Sequence, residues 1–201
     1  MIQKAMPTVE DLKRAREVFL ENEPRDLFYR VALELIRLAI EGKTEISLAE
    51  ALAVLLQTWN KAYYQFRRFD NQHFSDINSL VENRVRTAFE YRRRSILSLS
   101  RDDVSKVSGI FDEFEKVLGP VGASKSLHLL APEFFPLWDR AIASAYKVGL
   151  GPVGTNAVNY CRFMSCVREQ CAQLKGKLPE SENPLKAIDE YNYCRFTKGW
   201  I

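Results

Sequence analysis

Apolar positions recur along the chain at three- and four-residue spacing almost from end to end, and alternation never persists long enough to suggest a strand. Thr8 precedes the first run, which stops near Asn22 ahead of Pro24; a capping threonine and a breaking proline bound a helix between them. RDLFYRVALELIRLAIEG puts Leu27, Val31, Leu35 and Leu38 on one face and closes at Gly42. Ser47 and Glu50 have the spacing of a capping box for LAEALAVLLQTWNKAYYQF. Asp76 can open a helix that runs to about Arg94. Val104, Val107, Ile110, Phe111, Phe114 and Val117 trace the next, which Gly119 stops. A short helix from Ala123 to Ala131 ends at Pro132, and Asp139 caps another that stops at Gly149. TNAVNYCRFMSCVREQCAQLKG is the last long helix; KLPESENP reads as a polar linker to the tail LKAIDEYNYCRFTKGWI. The pattern predicts an all-α fold. It is one multi-helix domain over residues 1–201, or two lobes of about 1–100 and 101–201 with a cleft between them.

At 201 residues, with 46% hydrophobic and 27% charged side chains, the chain can bury a substantial core. No apolar run approaches the ~20 residues that span a bilayer, and MIQKAMPTVEDLKRAREVFLENEP lacks a signal peptide's apolar core. The expectation is a cytoplasmic protein without a membrane partner. Four cysteines suit a reducing compartment. Cys161, Cys166 and Cys171 are five residues apart on one expected helix, and each step turns it by roughly 140°. Their thiols then point in three directions, which argues against a shared metal or iron–sulfur cluster.

The net charge is only +3, but residues 60–101 hold 9 basic and 4 acidic side chains. Arg92, Arg93 and Arg94 stand in a row there. Such a patch attracts a polyanion, and a solvated helix face is the plainer account.

GPVGASKSLHLLAPEFFPLWDRAIASAY carries the candidate chemistry. Its glycines permit a tight turn, after which the amides of Gly122, Ala123 and Ser124 stand free at a helix start, a seat for phosphate. A plain helix end and turn is the competing account. Beyond it, Phe134, Phe135 and Trp138 put an apolar wall beside Asp139, which is a helix cap by default. His73 and His128 have no acid or nucleophile at motif spacing, and His128 among leucines reads as structural.

The order helix, glycine hairpin, helix, loop and aspartate over residues 102–149 resembles the helix-hairpin-helix, endonuclease-III-like DNA glycosylase superfamily. The chain looks like a divergent member, with its hairpin element at about 102–131 and a cysteine spacing that does not match the family's iron–sulfur motif. The resemblance implies a DNA-binding base-excision enzyme that flips a damaged or modified base out of a duplex and hydrolyses its N-glycosidic bond. It implies that Asp139 stabilises the sugar cation or orients water, and that no cofactor or metal is needed. Gly119, Gly122, Ala123, Ser124 and Arg92, Arg93, Arg94 would hold the DNA backbone. Lys125 has two roles on offer, a Schiff base with the sugar or a phosphate contact; it lies one residue off the family's lysine position, which favours the phosphate contact and a monofunctional enzyme. Trp59, Asn60, Tyr63, Phe134, Phe135 and Trp138 are the base-pocket candidates. The partner is duplex DNA with a damaged or modified base, bound by a monomer. The rival is a non-catalytic helical nucleic-acid-binding or scaffolding protein, in which Asp139 is only a cap.

Overall fold

The structure is a computed structural model that describes residues 6–179 and 183–201. The middle of the expected polar linker and the first five residues lie outside the described residues. The described residues form helices joined by short loops and contain no strand. They are α1 Val9–Asn22, α2 Asp26–Ile40, α3 Leu48–Trp59, α4 Lys61–Tyr64, α5 Asn71–Phe89, α6 Arg101–Leu130, α7 Arg140–Ala145, α8 Ala157–Leu174 and α9 Pro184–Asn192. A 3₁₀ turn at Ile96–Ser98 precedes α6, and a π-helical turn, Tyr193–Lys198, extends α9.

Caps fix the starts. Thr8 and Ser47 each make a reciprocal capping box, with Asp11 and Glu50. Ser100 does the same with Asp103 for α6. α5 begins earlier than expected. Asp70, not Asp76, receives the first amide, from His73 at 2.9 Å, and the helix ends at Phe89. Asp76 instead accepts from Gln72 at 2.9 Å one turn along.

α2 buries Tyr29, Ala32 and Ile36, not the expected leucine face. Leu27 and Val31 are 45% and 52% exposed. The inward face is chosen by what Tyr29 meets: its hydroxyl lies 2.8 Å from His128 Nε2 in α6, a buried pairing that an exposed face could not supply.

The hairpin expected at Gly119–Gly122 reduces to a kink. α6 runs through it, and only Gly119 leaves helical geometry, at φ 69° and ψ 168°. Pro120 then opens the second half of the helix, where the missing N–H costs nothing. Both glycines serve close packing. A Cβ on Gly119 would meet Tyr63 Cε2 at 2.9 Å, and one on Gly122 would meet Asn60 Nδ2 at 3.1 Å.

The buried apolar side chains of the described residues form one continuous core. α1 packs on α9, the first described helix on the last, and α6 packs on α5 and α8. Phe111, Trp138, Tyr160 and Phe163 form an aromatic cluster, with Phe111 and Tyr160 stacked at 4.2 Å. The second Gly-Pro-Val-Gly is closed by Asn156, whose Oδ1 accepts from Gly151 N at 2.7 Å. Asn156 in turn donates to the buried Glu115 of α6. No helix among the described residues is long and apolar enough to cross a membrane.

Candidate active site

A cavity of about 80 Å³ opens where α1, α2, the end of α3, the second half of α6, the start of α7 and α9 converge. Phe19, Trp59, Leu137, Trp138 and Ile142 make its apolar wall, and Glu23, Asp26, Lys125, Asp139, Lys186, Asp189 and Tyr193 bring polar groups to it. A larger hollow of about 750 Å³ lies between α3 and α5, but its acids Glu50 and Asp70 are spent on helix caps.

Lys125 enters from α6, six residues beyond the kink. Its Nζ donates to the Trp59 carbonyl at 2.5 Å and lies 4.8 Å from the Trp59 ring centroid. Burial pushes its pKa down to about 8, against the opposing pull of Asp139. The side chain is half-buried and turns inward, so its amine faces Trp59 and the cavity rather than the turn at Gly119. It is an amine that can lose its proton near neutral pH.

Asp139 caps α7, accepting from Ile142 N at 2.8 Å through Oδ1. Its Oδ2 accepts from the Thr197 hydroxyl at 2.6 Å. The cap and the cavity role coexist, because one carboxylate has two oxygens and each has its own donor.

Opposite them stands a set of charges that the sequence pattern did not single out. Lys186 lies 3.5 Å from Asp26, 3.9 Å from Asp189 and 3.6 Å from Glu190, and stacks on Tyr29 at 4.3 Å. Burial raises Asp189 to about 7, despite Lys186, with Glu190 and Asp139 adding repulsion. Glu190 is also raised by burial, against Lys186 and Arg16. Glu23 goes the other way. Burial alone would raise it, but hydrogen bonds from Arg25 and the Tyr193 hydroxyl outweigh that and hold it at about 2. The available signal was the i, i+3, i+4 spacing of Lys186, Asp189 and Glu190 on a helix whose Leu185 and Ile188 are core.

Of the expected site residues, Lys125, Asp139, Trp59 and Trp138 meet at this cavity. The others go elsewhere. Phe134 and Phe135 are fully buried against Tyr91, with Phe134 4.4 Å from it, and belong to the core. Tyr63 lies over Gly119 and donates to Val117 O at 3.1 Å. Asn60 is buried against Gly122, its Nδ2 without a partner among the described residues. Gly119, Gly122, Ala123 and Ser124 are buried too, so the kink offers no open seat for a DNA phosphate. Ser124 turns its hydroxyl to Val121 O at 3.0 Å.

The arginine row also divides. Arg92 donates to Leu130 O at 2.8 Å, covering the end of α6, and Arg94 makes a two-pronged bond to Asp103 at 2.8 and 2.7 Å. Arg93 alone is exposed and without a partner among the described residues.

His128 is structural. Its Nδ1 lies 2.7 Å from Phe135 O, and burial lowers its pKa to about 4. The cysteines are free thiols, with Cys161 and Cys171 buried on α8. Among the described residues, no three His, Cys, Asp or Glu side chains converge as metal ligands. Comparison with protein-family models, curated proteins and solved structures yields no match for this chain.

Proposed function

We propose that the chain is a DNA base-excision enzyme in which Lys125 is the nucleophile and Asp139 the anion that steadies charge on the sugar. One observation carries this reading: a half-buried lysine and an acid with both oxygens held share one cavity with two tryptophans. An amine with a pKa near 8 is partly neutral at physiological pH, which is the form that attacks carbon. Trp59 and Trp138 line the cavity, where a flipped base would meet aromatic side chains. The burial of Lys125 moves the reading from a monofunctional hydrolase to an enzyme that bonds to its substrate.

The test is borohydride trapping on duplexes carrying an abasic site or one of a panel of modified bases. A covalent complex that disappears in Lys125→Ala is the expected result. Base release with no trapped complex would return the chemistry to water and Asp139 alone. Duplex binding with neither release nor complex would make the chain a non-catalytic DNA binder.

One observation favours a second reading. The cavity lining holds four carboxylates, Glu23, Asp26, Asp139 and Asp189, against two lysines. That balance suits a small, cationic carbonyl compound as the partner of Lys125, and labelling by small aldehydes without any reaction on DNA would support it.

A further inference from the structure

Two of the carboxylates at the Lys125 cavity, Asp139 and Asp189, come from different parts of the chain, and their surroundings are opposite. Asp139 has a donor on each oxygen and is fixed in place. Asp189, on α9, accepts no hydrogen bond from the described residues; its nearest cation is Lys186 at 3.9 Å, which Asp26 and Glu190 approach more closely. Its carboxyl side chain is only 11% exposed, and it lines the cavity that Lys125 enters. Each feels the other's charge.

A carboxyl group shut from water and short of donors gains by holding a proton, and an amine shut from water gains by losing one. Burial works toward a neutral pair from both sides and brings the two groups to about 8 and about 7; Lys125 still holds the proton more tightly, so the reactive form, with a neutral amine and a protonated Asp189, is the minor of the two one-proton states. Paired acids with contrasting surroundings divide an acid's task from an anion's.

We propose that Asp189 is the general acid of this site, giving a proton to the group that leaves the carbon attacked by Lys125 while Asp139 stays the fixed anion. This rests on the reading of Lys125 as nucleophile. In the step, the Lys125 lone pair forms the N–C1′ bond, and the pair of the C1′–N glycosidic bond departs with the base. The base nitrogen takes the Asp189 proton. Lys125, now a charged secondary ammonium, returns its extra proton to the Asp189 carboxylate. Asp189 begins and ends protonated, and the products are the free base and a sugar bonded to Lys125. An abasic sugar follows the same course with hydroxyl as the leaving group, released as water.

The groups facing Asp189 are Lys186 and Glu190 on its own helix, Lys125 on α6, Asp139 at the start of α7, Asp26 and Tyr29 on α2, and Glu23 and Tyr193 on the cavity wall. A neutral Asn at position 189 keeps the shape and removes the acid. Two probes are used across pH 5–10, both read as adduct at Lys125 by peptide mass spectrometry. One is a duplex with an abasic site plus borohydride; the other is glycolaldehyde plus cyanoborohydride, which needs no DNA. Melting temperature is followed in parallel, and Asp189→Glu is included to restore an acid.

Wild type is expected to give a bell-shaped profile, because the reactive state holds one proton between Lys125 and Asp189. Asp189→Asn should lower the rate about 100-fold near pH 7 and lose the falling alkaline limb. Asp189→Glu should recover part of both. A merely electrostatic Asp189 predicts the reverse. Removing its charge leaves more neutral Lys125, so Asp189→Asn would react as fast or faster at pH 7, and the proposal would be overturned. A glycolaldehyde adduct with this Asp189 dependence, but none on DNA, keeps the general acid and removes DNA as the substrate. No Lys125 adduct with either probe in folded wild type overturns both the nucleophile and its acid.

Discussion

Asp139 joins two duties that are usually separated by mutation. Asn keeps an oxygen for the Ile142 amide, and its NH₂ can meet the Thr197 hydroxyl as a donor instead of an acceptor. Asn and Asp are near-equal caps, so Asp139→Asn should melt within about 1 kcal/mol of wild type. It loses the charge facing Lys125, however. Single-turnover base release or adduct formation should fall by 10²-fold or more, the usual cost of one well-placed electrostatic stabiliser. Unchanged rates would leave Asp139 as a cap and nothing else. Asp139 could be read from the chain because it stands as a cap directly before a helix, and Lys125 only because the resemblance places a lysine near that point. Asp189 and Thr197 could not. They become neighbours of Asp139 only once the tail folds back onto α1, and nothing local in DEYNYCRF specifies that docking.

Helix caps were readable for a similar reason: Thr8 and Ser47 each act on the amide three residues away. The inner face of α2 was not, because the leucine stripe and the Tyr29 stripe are both helical in period and only the partner helix chooses between them. The Gly119 kink lies between these cases. Glycine there announced a break, but the chain spends it on a one-residue bend instead of a loop. At φ 69° and ψ 168° the backbone is in a region essentially restricted to glycine. Gly119→Ala should therefore cost about 2–3 kcal/mol, or roughly 5–10 °C in melting temperature for a chain of this size. The contact of the new Cβ with Tyr63 is the smaller part, since an aromatic edge can shift by a few tenths of an ångström. Thermal melts of Gly119→Ala alone and with Tyr63→Ala separate the two. Backbone strain predicts that the second change recovers little, and full recovery would assign the cost to the Tyr63 contact.

The cavity is assembled from elements far apart in the chain, with Phe19, Glu23 and Asp26 from the first described helices and Lys186, Asp189 and Tyr193 from the last. Folding the molecule therefore places ionisable groups out of water, and that cost should appear in its stability. Asp189 in the unfolded chain has an ordinary carboxyl pKa near 3.8, and in the folded molecule it is raised to about 7. Between those values the folded state holds a proton that the unfolded state has released. A group whose pKa rises on folding contributes its stability fully below the lower value and loses it as pH climbs through the higher one. Asp189 should thus erode stability from about pH 4 to pH 7 and then stop. Asp189→Asn removes this dependence while leaving Lys186, Glu190, Asp26, Asp139 and Lys125 in both proteins. The variant should match wild type near pH 4, gain steadily with rising pH, and hold a constant advantage above pH 7, on the order of a few kcal/mol. Denaturant unfolding at intervals from pH 4 to pH 8 measures that difference directly. A difference that is flat across the range would mean that Asp189 titrates in the folded molecule as it does in the unfolded chain. Such a carboxyl would be ionised at neutral pH and would have no proton to give.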